Sequence, residues 1–452
     1  MHGRSGRRKR CGDPMTRILI LGAGGLIGQF VAADLIRRGV KVTAAARRFS
    51  SAQREMFGDA ARETPIASLD VLGLKSLIAQ SGADIVLNCV GVLQDQPGKS
   101  THEAHDGFVE RLIAALCAVG RPVLLIHTSI PGEPGGDVTP FAQSKRRADG
   151  LIVESGLPHA ILRPGMVLAP APYGGSAMLR SLAALPVDLP KALAERPFRY
   201  VAVEDIADTV AALAGRWKPG EPFASVYDLM HPDPHDMESV ILRLRRWLGD
   251  IWPWRLRMPE FLIDLGAKAG DLSSWLGWSP PMRSTAIAEL RRGVVGDPAR
   301  WMTDTGIAPR SLDALLNERP ATVENRWFAR LYLLKALIIA VLAVFWLVSG
   351  LIAITVAYGE ALEMMSRHGF PGGPSHAFII TTSLTDIAIG LLIAFRRTSR
   401  IGLVAGIVVA VGYMFGTAIL TPALWIEPLG ALVKTGPAIV LMMVALAISD
   451  DR

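Results

Sequence analysis

The sequence predicts a doubly wound parallel α/β sheet with a helical C-terminal subdomain, followed by an all-α bundle of four transmembrane helices. Three observations predict it. Short apolar runs alternate with helical periodicity as far as Leu229, an amphipathic Trp-rich stretch follows, and four long apolar segments fill the chain after Arg330. The chain has 452 residues, half of them hydrophobic and 20% charged. A mean hydropathy of +0.32 excludes a disordered or collagen-like protein and is too apolar for an ordinary soluble enzyme. The boundaries read as a basic leader over 1–14, the sheet domain over 15–230, the helical subdomain over 231–325 and the membrane domain over 326–452.

The formal charge is +7, partly from Arg4, Arg7, Arg8, Lys9 and Arg10. This run reads as a disordered, solvated leader before Met15, with no apolar core that would make it a signal peptide. Three cysteines, Cys11, Cys89 and Cys117, have no metal-ligand spacing and read as reduced thiols of a cytosolic compartment.

The first strand, Ile18 to Leu21, runs into GAGGLIG (Gly22 to Gly28) and then a helix with Leu26, Ile27, Phe30, Val31 and Leu35 at helical spacing. In that context the glycines have separate tasks: Gly22 for the tight turn, Gly25 for close approach of a pyrophosphate, Gly28 for packing of helix on strand. The N–H groups around Leu26 and Ile27 then face the phosphates. This is a Rossmann-type dinucleotide site. The second strand ends in Arg47 and Arg48, where a site for NAD usually carries an acidic residue for the ribose 2′-hydroxyl. A guanidinium suits a 2′-phosphate, so NADP is favoured, with NAD as the alternative.

Further strands are expected at Asp84 to Cys89, Val123 to His127 and His159 to Leu162. A parallel sheet places ligands at the strands' carboxyl ends, which puts Asn88, Gly91, Thr128 and Ser129 near a nicotinamide. Taken together, GAGGLIG, NCVG (Asn88 to Gly91), HTS (His127 to Ser129), FAQSK (Phe141 to Lys145), RPGMV (Arg163 to Val167) and the stretch Tyr200 to Leu213 resemble the short-chain dehydrogenase/reductase superfamily. The likeness is to its atypical members, the NmrA-like proteins and the NADPH-binding accessory subunit of respiratory complex I.

The resemblance implies Ser129 and Lys145 as catalytic positions, Lys145 also binding the nicotinamide ribose. It also exposes a departure. The family's Tyr-x-x-x-Lys pair occupies one helix face, and here the tyrosine position is Phe141. Phenylalanine has no exchangeable proton, and a positioned general acid is typically worth ~10²–10⁴ in rate. Tyr173 is the candidate substitute.

From Glu238 to Trp301 the chain is helical and amphipathic, with six of its ten tryptophans (Trp247, Trp252, Trp254, Trp275, Trp278, Trp301) interleaved with arginines. The favoured reading is a cap over the substrate cleft with tryptophans as core anchors; the alternative is a lipid headgroup interface. No strand pattern supports single-stranded nucleic acid, and no nucleic-acid partner is expected.

Four spans are expected: Ala336 to Tyr358, His376 to Phe395, Ile401 to Thr421 and Leu429 to Ile448. Arg326, Arg330, Arg396, Arg397 and Arg400 collect on one side, which predicts an inner-membrane, multi-pass protein with a cytoplasmic nucleotide domain. Asp386 and Lys434 lie within spans, where an ionisable group costs ~2.5–3.5 kcal/mol on insertion scales. The spacing of the spans, TDIAIGLLIA around Asp386 and EPLGALVKTGP (Glu427 to Pro437) resemble the DoxX-like family, whose associations are with membrane redox chemistry.

The sequence thus predicts a membrane-anchored NAD(P)(H)-binding oxidoreductase on a lipophilic substrate such as a quinone. The alternative is a non-catalytic NADPH-binding module of a membrane redox complex, motivated by Phe141. A nucleotide-gated transporter is motivated only by Asp386 and Lys434.

Overall fold

The structure is a computed structural model and describes residues 16–92, 102–132, 134–426 and 432–449. The basic leader, Cys11 and the chain between Glu427 and Ala431 lie outside the described residues. The chain packs as two compact units, one running to Ile263 and including Ser284–Thr322, the other combining Asp264–Arg283 with Val323 onward. The Trp-rich stretch is therefore shared between the two units.

In the first unit seven parallel strands form one sheet: β1 (Arg17–Leu21), β2 (Lys41–Ala46), β3 (Ala61–Glu63), β4 (Ile85–Asn88), β5 (Leu124–Thr128), β6 (His159–Pro164) and β7 (Ala224–Leu229), in the order 7-6-5-4-1-2-3. Alternation along β1 shows why both faces are covered. Ile18 and Ile20 pack with Val31 and Leu35 of helix α1 (Leu26–Arg37). Leu19 and Leu21 face the other way, toward the cluster of Leu74 and Ile78 from the helix Val71–Ser81 and Leu112 from the helix Phe108–Ala118. Here α2 is Ser51–Phe57, α3 Val71–Ser81, α4 Phe108–Ala118 and α5 Pro140–Glu154. A residue period of two with apolar side chains on both faces requires helices on both.

Strand order reverses beside β1, which pairs with β2 on one side and β4 on the other, Leu21 lying opposite both Ala45 and Asn88. Connections leave this point toward opposite faces of the sheet and open a crevice at the carboxyl ends. Asn88 in turn lies opposite His127, and Thr128 opposite Leu162, so the ends of β4, β5 and β6 are brought level.

Among the described residues, the second unit holds three helices long and apolar enough to cross a bilayer: Val323–Ile354, Gly372–Ala394 and Ser399–Leu420. The first starts well before the expected Ala336, because Val323 to Lys335 continues the same helix. The fourth expected span, Leu429 to Ile448, contains a 13-residue helix, Thr435–Ala447, about 20 Å long at 1.5 Å per residue. Between the first two spanning helices lies a further helix, Tyr358–Arg367, tied by an Arg367–Glu363 ion pair at 2.7 Å. Trp346, Ile389, Leu403, Ala410 and Met442 form the core of this unit.

Candidate functional site

The glycine turn is fixed by its backbone. Gly22 sits at φ +87°, a left-handed conformation, and a side chain there would meet the Cys89 carbonyl at 2.9 Å. A Cβ on Gly28 would approach the Gly22 carbonyl oxygen to 2.5 Å, so only glycine lets α1 start this close to β1. Gly25 caps α1 with no side chain, and the first turn carries no acidic residue. The first N–H groups of a helix lack intrahelical acceptors. Those of Leu26 and Ile27 at this turn suit a pyrophosphate.

Arg47 and Arg48 follow β2 and are both exposed. Glu63, at the end of β3, accepts from the Phe49 backbone N–H at 2.8 Å and from Arg54 Nε at 3.0 Å. Those bonds, with the charge of Arg48, hold its carboxyl below the usual range. Both bonds go to one oxygen, Oε1, and the Arg47 and Arg48 guanidinium groups remain on the surface.

At the ends of β4 and β5 the polar groups converge. Asn88 is buried; its Nδ2 donates to His127 Nδ1 at 3.0 Å, and its Oδ1 accepts from Val90 N at 3.0 Å. Its side chain therefore shapes the turn leading to Gly91. Lys145, 5% exposed, donates from Nζ to the Thr128 carbonyl at 2.9 Å and reaches the Val90 carbonyl at 3.5 Å. Burial lowers its pKa to about 8, against the opposing pull of the Asp149 charge. A side chain on Gly91 would come within 3.3 Å of Lys145 Nζ, which places Gly91 and Lys145 side by side.

Ser129 is buried just past the carboxyl end of β5, its backbone N–H bonded to the Leu162 carbonyl at 2.7 Å. Burial raises the Asp149 carboxyl, and Arg163 draws it back. Arg163 reaches the same carboxylate at 3.0 Å. Among the described residues the buried Ser129 Oγ has no hydrogen-bond partner. The Cys89 thiol, pushed up to about 11 by burial, stays protonated beside Thr128.

Phe141 begins the helix face that continues to Lys145, and its ring meets His105 edge to face. His105 was not legible as a site residue. It lies on a short turn, Glu103–Gly107, whose packing against α5 no local pattern announces. His105 Nε2 accepts from Val92 N at 3.1 Å, which leaves the proton on Nδ1 for Ser144 Oγ at 2.8 Å; Ser144 Oγ in turn donates to the Phe141 carbonyl. Burial and the Lys145 charge take its pKa down to about 3. This imidazole is neutral and fully bonded, and it supplies no ready proton in place of the missing phenol. Tyr173 stands 42% exposed at the head of the helix Gly174–Ala184.

The loop from β5 to α5 is clamped by charge. Asp137 accepts from Arg146 Nε at 2.8 Å and pairs with Arg292, while Arg292 also donates to the Pro131 carbonyl at 2.9 Å. In the second unit, Tyr413 donates to Asp386 Oδ1 at 2.9 Å between two spanning helices. Among the described residues no cluster of His, Cys, Asp and Glu could hold a metal ion.

Residues 22–214 match a family described as NAD(P)H-binding, and residues 343–443 match the DoxX-like family. A dTDP-6-deoxy-L-talose 4-dehydrogenase (NAD(P)(+)) from Kitasatospora kifunensis is 28% identical over 134 residues, 30% of this chain and 41% of that protein. The chain therefore spans well under half the length of the curated relative it matches. Among solved structures, a UDP-glucose-4-epimerase from Stenotrophomonas maltophila with bound NAD and formylated UDP-arabinopyranose is 15% identical, with TM-score 0.51 over 72% of this chain and 100% of that one. A UDP-glucuronic acid 4-epimerase variant from Bacillus cereus, in complex with UDP-4-deoxy-4-fluoro-glucuronic acid and NAD, is 15% identical, with TM-score 0.50 over 70% and 100%. At these identities the likeness is one of fold.

Proposed function

We propose, for a chain that joins an NAD(P)H-binding domain of the short-chain dehydrogenase/reductase type to a DoxX-like membrane domain, that it is a membrane-anchored NADP(H)-dependent oxidoreductase acting on a lipophilic quinone-like substrate. The observation that carries the reading is the pairing of a glycine turn shaped for a dinucleotide with a buried Lys145 beside Gly91, on a chain with bilayer-length helices. Gly22, Gly25, Leu26, Ile27 and Gly28 would hold the pyrophosphate, Arg47 and Arg48 the 2′-phosphate, and Lys145 the nicotinamide ribose, with Asn88 and Gly91 binding beside Lys145. The coenzyme, when bound, supplies the reducing equivalents.

The protein's own part is to position the reactants, because Phe141 offers no proton and protonation is left to solvent. That favours one substrate chemistry. Reduction of a ketone leaves an alkoxide that needs a positioned acid, whereas a quinone gains aromatic stabilisation and leaves a phenolate that solvent protonates. The loss of a general acid therefore handicaps ketone reduction most. We place the nucleotide domain in the cytoplasm and the helices in the inner membrane, since Arg326, Arg330, Arg396, Arg397 and Arg400 flank the same side of the spans.

The Phe141–His105 contact favours a second reading, a non-catalytic NADPH-binding module of a membrane redox complex. Assays on the full chain in detergent separate the two. NADPH binding with oxidation by a soluble quinone analogue, reduced by Lys145→Ala or Ser129→Ala, supports the enzyme. Tight binding without oxidation supports the module. If neither NADPH nor NADH shifts the melting temperature, both readings fall.

A further inference from the structure

The helix Glu260–Trp275 is apolar on two opposite faces. One face, including Ala267 and Ser274, is buried against the protein. On the other, Leu265 is 60% exposed, Leu272 67% and Trp275 83%, and Phe261 continues the stripe one turn toward the helix start. At 100° per residue Phe261, Leu265, Leu272 and Trp275 fall within one narrow sector, with Lys268 the only charge among them. Water gives no reason for such a stripe. The exposure matches that of residues on the spanning helices, such as Val408 at 65% and Phe415 at 68%.

Its position supplies the occupant. Residues 264–283 pack in the same unit as the spanning helices. Just beyond the helix, Trp278 Nε1 donates to the Ala394 carbonyl at 2.7 Å, and Arg396 N donates to the Leu276 carbonyl at 3.0 Å. Ala394 is the last residue of a spanning helix, and exposed Arg396 and Arg397 follow it. A spanning helix that ends in arginines ends at the headgroups, where tryptophan is also enriched. The end of the stripe is therefore anchored at headgroup level.

We propose that this helix is an interfacial membrane helix, with Leu265, Leu272 and Trp275 immersed at the headgroup–acyl boundary and Lys268, Arg396 and Arg397 directed at lipid phosphates. The claim is independent of whether the nucleotide site turns over. Its length and composition are those of a helix that lies in the interface and does not cross it.

The test uses the full chain, with Cys11→Ser and Cys117→Ser, reconstituted into bilayers of phosphatidylethanolamine and phosphatidylglycerol. A nitroxide is attached at Leu272→Cys and, separately, at Leu265→Cys. Val404→Cys serves as the lipid-facing reference and Leu72→Cys as the water-facing one. The expected result is collision with oxygen in excess of collision with a water-soluble nickel chelate at both positions, with loss of nickel accessibility relative to position 72. Nickel accessibility equal to that of position 72 overturns the proposal. So does shielding from both reagents, which would mean that a second copy or a protein partner covers the stripe. Two independent positions keep the test decisive if one variant fails to fold.

Discussion

His105 and Phe141 meet edge to face, their ring centroids 5.5 Å apart and their planes at 71°. The contact fills the place from which a tyrosine at position 141 would act, and it ties the turn after β4 to α5 through a neutral histidine. A phenol restored there would stand one helical turn from Lys145, the partner that favours its ionised form.

The first prediction follows from that geometry. Phe141→Tyr is expected to leave NADPH affinity nearly unchanged while raising turnover of hydrophobic ketones by about 10²-fold or more, the usual worth of a positioned acid. Quinone reduction should change little. NADPH oxidation measured with matched ketones and quinones checks both halves, and an equal gain for the two substrates would contradict the proposed chemistry.

The second concerns Lys145, held at about 8 by burial against 10.5 for an ordinary lysine. Because the native value is the lower one, the folded chain gives up this proton before the unfolded chain does. Stability should therefore rise as pH climbs from about 8 toward 10.5, while the charge available to a coenzyme is lost over the same window. NADPH dissociation constants are expected to increase above pH 8 by up to about tenfold per pH unit. Lys145→Met should remove both trends, as read by fluorescence titration and thermal melts across the alkaline range.

Arg47 and Arg48 give the third. Hydrogen bonds to charged groups contribute about 1.5–3 kcal/mol each, so replacing either with alanine should weaken NADPH binding by about ten- to a hundredfold and leave NADH binding within a few-fold of its original value. Equal losses for both coenzymes would mean that the arginines do not read the 2′-phosphate.

The fourth lies in the membrane unit, where Tyr413 donates to Asp386 at 2.9 Å. Tyr413→Phe should lower the stability of the solubilised chain by about 0.6 kcal/mol, the average for interhelical bonds in membranes. It also leaves the half-buried Asp386 carboxyl without its tyrosine donor. The pair Tyr413→Phe with Asp386→Leu should therefore be more stable than Tyr413→Phe alone, because an unpaired buried polar group costs more than a missing bond. Thermal melts of the variants in one detergent decide it.

Much of the architecture was legible in the sequence because it is written in local terms. Strand alternation, helical spacing and the glycine turn each act over a few residues, and the special backbone at Gly22 and the crowding at Gly28 are the physical content of that motif. The absence of a phenol at position 141 was equally plain. The extent of the first spanning helix was less so, since Arg326, Arg330 and Lys335 interrupt its apolarity without breaking its backbone.

What the sequence by itself determined was the dinucleotide-type sheet, the bilayer-length helices and the missing proton donor. The tertiary structure decided which polar groups share a neighbourhood. His105 and Ser144 are 39 residues apart, as are Asn88 and His127, and each pair is joined only when separate strand–helix units stack. The same holds for residues 264–283, which leave the Trp-rich stretch to join the membrane helices. Burial and hydrogen bonding between distant segments depend on how whole elements pack, and no window of neighbouring residues contains that information.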